Sequence, residues 1–559
     1  QQTRYTESTA AQVIFGAMSP AGRLPVAVNE NFPFNMGNTW QPLGRLSYGV
    51  PELVNISRTT LAGGIDSLMR LGINKKAFPG GEILVAKDGM VIFSKAYGYH
   101  TYRDAENAKQ TEIDWSTATH RYIDDAMDNP LVYANVPQKT TKKVSIPFGK
   151  NLQGDIYDLA SVTKISTSAL AVMRLMSDKK FSLDEKLGTY YPDFTHTNKD
   201  SLRMRDLLTH RAGLKHWIPF WKNCVDTVAT MKKALELHPE LESEYLVTIK
   251  KPFFLCRLFG KKAKKTINYS ETVTAKPALW EKLLAKGQRV WKEGIFSERQ
   301  TEEFSVKIHE SLFLHKNYRK EIIRQIALSP VYPGQGYLYS DLHYYLYPEI
   351  TERLTGLSFE SYLQQTYSGL GAFSLRFRPD GKFPGERIVP TEYDSLFRKV
   401  LIHGFVHDEG AAMMDGISGH AGLFGSAGDL AKLMQMYLQN GYYGGKRFID
   451  SSVVTMCTAY QFADQKNRRG IGFDKKDFNP DIKNAPALSS PLSFGHSGYT
   501  GTFAWVDPKY NLVYIFLSNR VYPTRNNTML GTLNLRPAIG DHIINCIMAG
   551  AKPVQPNQK

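Results

Sequence analysis

The chain has 559 residues, of which 42% are hydrophobic and 22% charged, with a formal net charge of +16 at pH 7. That length holds roughly two to four domains and a sizeable core, and the composition excludes a disordered tail or a fibre. No apolar run reaches the roughly 18 residues of a membrane-spanning helix. The positive charge suits nucleic acid, an anionic membrane surface or an anionic polymer. Nucleic acid is not the expected partner, because no RNP-like, zinc-finger or helix-turn-helix pattern is present and no basic row alternates with stacking aromatics. The clearest basic cluster, Lys261-Lys262-Ala263-Lys264-Lys265, reads as a solvated loop. Cys224, Cys256, Cys457 and Cys546 are widely spaced. That argues against zinc or a disulfide framework and leaves the redox compartment open.

The chain opens at Gln1-Gln2-Thr3, without an initiator methionine or a signal peptide, and is read as part of a longer or processed protein. Thr6 to Ala17 predicts one short helix, and Ser19-Pro20-Ala21-Gly22-Arg23-Leu24-Pro25-Val26 a turn and a short strand. Fifty residues of this kind bury no core of their own. The words Ile14-Phe15-Gly16-Ala17 and Gly22-Arg23-Leu24-Pro25-Val26 resemble the end of the second domain of family 3 glycoside hydrolases. By that resemblance residues 1–50 are the remnant of an upstream glycosidase domain. The alternative is an ordinary linker arm, and none of that family's catalytic residues carries over.

Ile65, Leu68, Met69 and Leu71 predict a helix. Glu82 to Lys87 and Met90 to Lys95 flank Asp88-Gly89, a strong hairpin signal. Residues 100–150 read as a polar, irregular excursion. The chain then reaches Asp158-Leu159-Ala160-Ser161-Val162-Thr163-Lys164, ahead of an apolar run from Ile165 to Met176 that predicts a buried helix. Ser161 falls at the helix start, where unpaired N–H groups and the dipole favour an anion. Lys164, three residues on, rises on the same face. A serine attacks only if a base takes its proton, and a lysine serves if desolvation or a second cation keeps part of it neutral. Alone, the pair reads equally as a capping serine beside a solvated lysine.

After that helix come Leu183-Asp184 and Leu207-Leu208-Thr209-His210-Arg211-Ala212-Gly213-Leu214. With the hairpin and Ser-x-x-Lys, a known signature of these enzymes, this order resembles the serine β-lactamase and penicillin-binding-protein-like hydrolases. The branch of class C enzymes, carboxylesterases and small peptidases is nearest, and the resemblance runs with interruptions from about Leu61 to Pro523. It implies an α+β fold with an antiparallel sheet flanked by helices plus a helical subdomain. The hydrolase domain is placed at 51–555, with a mainly helical insertion at about 219–330 serving as a lid, a substrate wall or a surface elaboration. Arg211-Ala212 departs from the Thr-Ser of many relatives.

Gly336-Tyr337-Leu338-Tyr339-Ser340-Asp341 matches the family's tyrosine element. Tyr339 is the candidate proton relay, if nearby positive charge lowers its pKa. His407-Asp408-Glu409 and Gly419-His420-Ala421-Gly422 lack metal-ligand spacing, so no metal is expected. They read as a loop that lines the cleft or is purely structural. Gly495-His496-Ser497-Gly498-Tyr499-Thr500-Gly501-Thr502 resembles the third element, with His496 where β-lactamases carry a lysine. By that match the oxyanion hole combines the backbone N–H groups of Ser161 and Tyr499, and Asp341, Gly498, Thr500 and His420 bind substrate.

The expected function is therefore a serine hydrolase that needs no cofactor and works through an acyl-enzyme. His496, mostly neutral at pH 7, holds a carboxylate less firmly than lysine, and an ionised Asp341 cannot donate to a carbonyl. Both weaken the case for dedicated β-lactam hydrolysis or for cutting beside a free C-terminal carboxylate. With the glycosidase tail and the words His-Asp-Glu and Gly-His-Ala-Gly-Leu-Phe, the resemblance implies an N-acetylmuramyl-L-alanine amidase-like enzyme on peptidoglycan fragments, periplasmic or otherwise extracytoplasmic. The alternatives are a carboxylesterase, D,D-peptidase or β-lactamase of the same fold, or a catalytically silent module that binds peptidoglycan or β-lactams.

Overall fold

The computed structural model describes residues 4–104, 149–237, 289–334 and 336–551. Helix α1 (Arg4–Ile14) and the two-residue β1 (Ser47–Tyr48) precede α2 (Arg58–Asn74), β2 (Gly80–Lys87) and β3 (Met90–Gly98). Next come β4 (Tyr157–Asp158), a π turn (Lys164–Ser168) running into α3 (Ala169–Ser177), α4 (Tyr347–Thr355) and α5 (Phe359–Leu370). The chain ends with β5 (Arg376–Phe377), β6 (Leu423–Gly425), α6 (Ala427–Leu438), β7 (Phe494–Ser497), β8 (Phe503–Asp507), β9 (Leu512–Ser518) and α7 (Leu535–Gly550).

The Asp88-Gly89 hairpin forms as predicted. Both residues have positive φ, 53° and 76°, the conformation in which a two-residue turn follows strand twist. β2 and β3 pair from Gly80↔Gly98 to Lys87↔Met90. The six-stranded sheet has the order β1-β3-β2-β9-β8-β7. Only the β1–β3 contact is parallel; the other pairs are antiparallel. A three-stranded sheet, β5-β6-β4, stands beside it.

Strand alternation sends side chains to two separate cores. Ile83, Val85, Phe503, Trp505, Tyr514 and Phe516 pack with Leu61, Ile65 and Met69 of α2 and with Ile539 and Ile543 of α7. Leu84, Ala86, Ala504, Val506, Val513 and Ile515 face the larger core, which holds α3 and α6. Helices therefore cover both faces, which is why β9 is hydrophobic from Leu512 to Leu517. The helix predicted from Ile65 and Met69 starts one residue after Ser57, whose Oγ accepts the Thr60 N–H at 3.3 Å, an ordinary N-cap.

The short strand expected near Val26 does not form; residues 18–46 make one isolated bridge, Asn29 to Phe32. Residues 105–148 of the predicted excursion and 238–288 of the predicted insertion lie outside the described residues. At the near end of that insertion stands a helix, Thr227–Leu237. At the far end are four short strands between Val290 and Leu314 and a helix, Tyr318–Leu328.

Candidate active site

Ser161 stands at the head of its helix because of the turn before it. Ala160 has φ 46°, a left-handed conformation costing a residue with a Cβ on the order of 1–2 kcal/mol. Asp158 holds that turn: one carboxylate oxygen accepts the Ala160 N–H (2.8 Å) and the other the His407 N–H (2.7 Å). Burial raises the Asp158 carboxyl above its usual range, against the pull of those two N–H groups. The following π turn shifts the helix hydrogen-bond register. The Ile165 and Ser166 carbonyls there accept the hydroxyls of Tyr437 (2.7 Å) and Tyr367 (2.6 Å), which lie on α6 and α5. The serine's helix is thus tied to two others through its own backbone.

Lys164 is fully buried, and its Nζ donates to Ser161 Oγ at 2.8 Å. The same nitrogen lies 2.7 Å from Asp341 Oδ1 and 3.5 Å from the His420 carbonyl. The charged group nearest the lysine is therefore a carboxylate and not a second cation. Burial works against the Asp341 carboxylate, but the Lys164 ammonium and then the His420 ring outweigh it and hold its pKa below the usual range. Asp341 was expected to bind substrate. It borders the cleft, yet its carboxylate is engaged by Lys164.

Tyr339 Oη lies 3.4 Å from Ser161 Oγ. Its ring rests 4.4 Å from that of His210, whose Nδ1 accepts the Ser340 N–H. Burial first, and the Asp341 carboxylate second, push the phenol well above its ordinary pKa. The lowered pKa that a relay was expected to need is not found, so Tyr339 is a neutral phenol that can donate or pass on a proton.

The turn between β7 and β8 docks on the serine segment. Thr500 Oγ1 donates to the Asp158 carbonyl (2.8 Å) and Thr502 Oγ1 to the Leu159 carbonyl (2.9 Å). Gly498 approaches so closely that a Cβ there would meet Thr502 Oγ1 at 2.0 Å and the Leu159 carbonyl at 2.7 Å. Glycine at 498 is a packing requirement. Thr500, expected to bind substrate, is instead a buried strut. Tyr499 is brought beside Ser161 with its side chain 51% exposed. His496 is buried; its Nδ1 donates to the Ser497 carbonyl (2.7 Å), and its Nε2 has no hydrogen-bond partner among the described residues. Burial, then the charges of Arg469 and Lys164, push its pKa down to about 3. It is a neutral acceptor where the family pattern has an ammonium.

Ser161, Tyr339, Asp341, His420, His496, Gly498 and Tyr499 border one cleft of about 700 Å³. Its wall also carries Arg520 and Arg536, neither of which meets a carboxylate among the described residues. Arg520 donates to the carbonyls of Tyr499 and Asn527, and Arg536 to that of Thr502. Burial, and then the neighbouring Arg520, push Arg536 down to about 10. No motif announced these arginines, and Asp158, quoted next to the serine, had no role assigned. Only the tertiary contacts identify them.

The His-Asp-Glu loop borders the same cleft. His407 pairs with Glu392 (2.7 Å), Asp408 with His420 (3.1 Å) and Glu409 with Arg525 (2.8 Å). Burial raises Asp408, but the His420 ring outweighs it and holds the carboxyl well below its usual range. Among the described residues no cluster of three or more His, Cys, Asp or Glu side chains could hold a metal, and no helix is long and apolar enough to cross a membrane.

Comparison with known proteins places the chain in a family. The family described as Beta-lactamase matches residues 65–240 and 306–536. The match leaves residues 1–64 unassigned and lends the expected glycosidase remnant no support. A protein of Escherichia coli (strain K12) described as "Putative D-alanyl-D-alanine carboxypeptidase" is 26% identical over 499 residues, covering 85% of this chain and 87% of that one. The "N-acetylmuramyl-L-alanine amidase" of Bacillus subtilis (strain 168) is 25% identical over 522 residues, covering 88% of each chain. The crystal structure of a penicillin-binding protein homolog from Caulobacter crescentus superposes with a TM-score of 0.47 and 15% identity, over 86% of this chain and 97% of that one.

Proposed function

The chain belongs to the β-lactamase family of serine hydrolases, with its α+β fold, and from that premise we propose an amidase or peptidase that acts on peptidoglycan fragments through an acyl-enzyme on Ser161. The observation that carries the proposal is the 2.8 Å contact between Lys164 Nζ and Ser161 Oγ. Lys164, after passing one ammonium proton to the Asp341 carboxylate 2.7 Å away, accepts the serine proton as Oγ attacks the substrate carbonyl. The backbone N–H groups of Ser161 and Tyr499 take the resulting oxyanion, and a donor of that kind is worth about 3–4 kcal/mol. Tyr339, 3.4 Å from the serine oxygen, passes its proton to the leaving nitrogen as the C–N bond breaks and is reprotonated by the proton that Lys164 took from the serine. Water then hydrolyses the acyl ester by the same groups in reverse.

The preferred bond is the amide between the lactyl group of N-acetylmuramic acid and L-alanine. A cleft of about 700 Å³ suits a sugar-peptide fragment, and Arg520 and Arg536 complement the carboxylates such peptides carry. A relative of amidase description over 88% of the chain supports the same choice. The second reading is a D,D-carboxypeptidase, favoured by the Escherichia coli relative and by the same arginines, which could hold a terminal carboxylate. On either reading the protein is assigned to the periplasm or another extracytoplasmic site, where intact peptidoglycan lies. An upstream glycosidase, resting on the resemblance of residues 14–26 alone, fits the first reading.

A serine-reactive fluorophosphonate should label Ser161 in the folded protein and fail on Ser161→Ala. No labelling sinks the enzyme reading in favour of a binding module. Incubation with a MurNAc-pentapeptide, followed by mass spectrometry, should release the free peptide with an unblocked L-alanine. Release of D-alanine alone would select the second reading.

A further inference from the structure

The third catalytic element of this site lacks its own charge. His496 is neutral across the working pH range, its Nδ1 proton committed to the Ser497 carbonyl. We propose that Arg469 supplies the missing fixed charge: a positioning residue whose buried guanidinium, wedged between the Tyr339 and His496 elements, favours negative charge on the Tyr339–Ser161 pair as a proton moves through it. This rests on the reading of Ser161 as nucleophile.

The wedge is built from both sides. Asn467 Nδ2 donates to the Thr209 carbonyl (3.1 Å) and the Gly472 N–H to the Leu208 carbonyl (3.1 Å), directly before His210 and its contact with the Tyr339 ring. On the other side Asp474 and Gly495 exchange both backbone hydrogen bonds (2.8 and 2.9 Å), directly before His496. Arg469 spans the two. It is 1% exposed, its Nη2 donates to the Gly472 carbonyl (3.2 Å), and its Nη1 lies 3.3 Å from Asp474 Oδ1. Asp474 gives its shorter contact, 2.7 Å, to Arg468, so it anchors Arg469 without fully cancelling it. Arg469, Tyr339, Ser161 and His496 border the same cleft.

The other charges around the tyrosine do not substitute for Arg469. On Tyr339's own element stand Tyr337, Asp341 and His343. From facing elements come Lys164, His210 and His216, which holds the Tyr339 carbonyl through Nδ1 (2.9 Å). Asp341 is an anion that opposes loss of the phenol proton, and its partner Lys164 is already committed to it. His210 and His343, chiefly through burial, are pushed well below their ordinary values and carry no charge. Arg469 lowers the pKa of Tyr339, Tyr344, His210, His343 and His496 alike, as one buried positive charge must.

The test is the rate at which a fluorophosphonate labels Ser161 in the full chain from pH 5 to 10, with thermal melting as the fold control. Arg469→Gln should slow labelling at pH 7 by about 10-fold or more, equivalent to one unit of the pH profile, and move the profile to higher pH. Arg469→Lys should stay close to wild type, and Asp474→Asn should move the profile the opposite way. A wild-type profile in Arg469→Gln overturns the proposal, as does a shift of the same sign in Arg469→Gln and Asp474→Asn. If Arg469→Gln does not fold, an unshifted Asp474→Asn overturns it instead. Absence of labelling in wild type would reject the nucleophile reading and leave nothing for Arg469 to tune.

Discussion

Lys164 Nζ and Asp341 Oδ1 are 2.7 Å apart, with the lysine side chain fully buried and the aspartate side chain 16% exposed. A buried pair gains little over an apolar replacement, but breaking it strands a charge. Asp341→Ala should therefore destabilise the protein by about 3 kcal/mol. Adding Lys164→Met to that variant should recover part of the loss. Urea unfolding of the two single variants and the double variant measures the coupling, and strict additivity would contradict the pair.

Lys164 and Tyr339 have separable parts in the proposed reaction. The lysine is the group in hydrogen-bond contact with Ser161 Oγ, and the tyrosine stands farther off at 3.4 Å. Lys164→Met should lower fluorophosphonate labelling by about 10²–10⁴-fold, the range for removing a general base. Tyr339→Phe should lower turnover of an amide more than it lowers labelling, because the amide's leaving nitrogen needs a proton and fluoride does not. Equal losses in both assays would remove the leaving-group role from Tyr339.

Asp158 supports the serine through two buried backbone N–H groups, those of Ala160 and His407. Asp158→Ala leaves both without an acceptor at about 1–3 kcal/mol each. It also releases the left-handed Ala160 turn. A fall of several kcal/mol in denaturant unfolding, with loss of labelling where the variant still folds, is expected.

Glu82 on β2 is 2% exposed, and burial, then the Asp155 carboxylate, raise its pKa to about 8. The folded state thus holds a proton that the unfolded state releases near pH 4.5. Between those values the folded state binds more protons, so stability falls as pH rises, by at most about 1.4 kcal/mol per pH unit from this group. The contribution is complete below pH 4.5 and lost above about 8. Glu82→Gln should remove this slope from a stability-against-pH series while leaving other groups' contributions in place.

Much of the scaffold was legible because its signals are local. The Asp88-Gly89 pair demands a turn that only left-handed φ values satisfy, and both residues adopt them. The β9 run is hydrophobic from Leu512 to Leu517 because helices cover both faces of the sheet. The strand expected near Val26 failed for the same kind of reason. Leu24 exchanges backbone hydrogen bonds with Asn35 and Met36 (2.9 Å each), but the pairing does not continue into a ladder.

Within the site, Ser161, Lys164, Tyr339 and His496 could be named from short words in family order, since each word is a few residues long. Their states could not. The pKa of Tyr339 goes up and not down because the fold buries the phenol and, second, because the Asp341 carboxylate lies nearby. Thr500 turns inward because the Asp158 carbonyl, 342 residues away along the chain, is the acceptor within reach.

Sequence by itself determined that Ser161 and Lys164 lie together, because residues three apart on a helix share a face. Only the tertiary structure decided what surrounds that pair. Asp341 is committed to Lys164, His496 is left neutral, and Arg469 is buried behind them. Charge and burial are set by neighbours brought together from distant parts of the chain, and spacing carries no record of them. The serine and its lysine are written in four consecutive residues; the electrostatics in which they work are written in the fold.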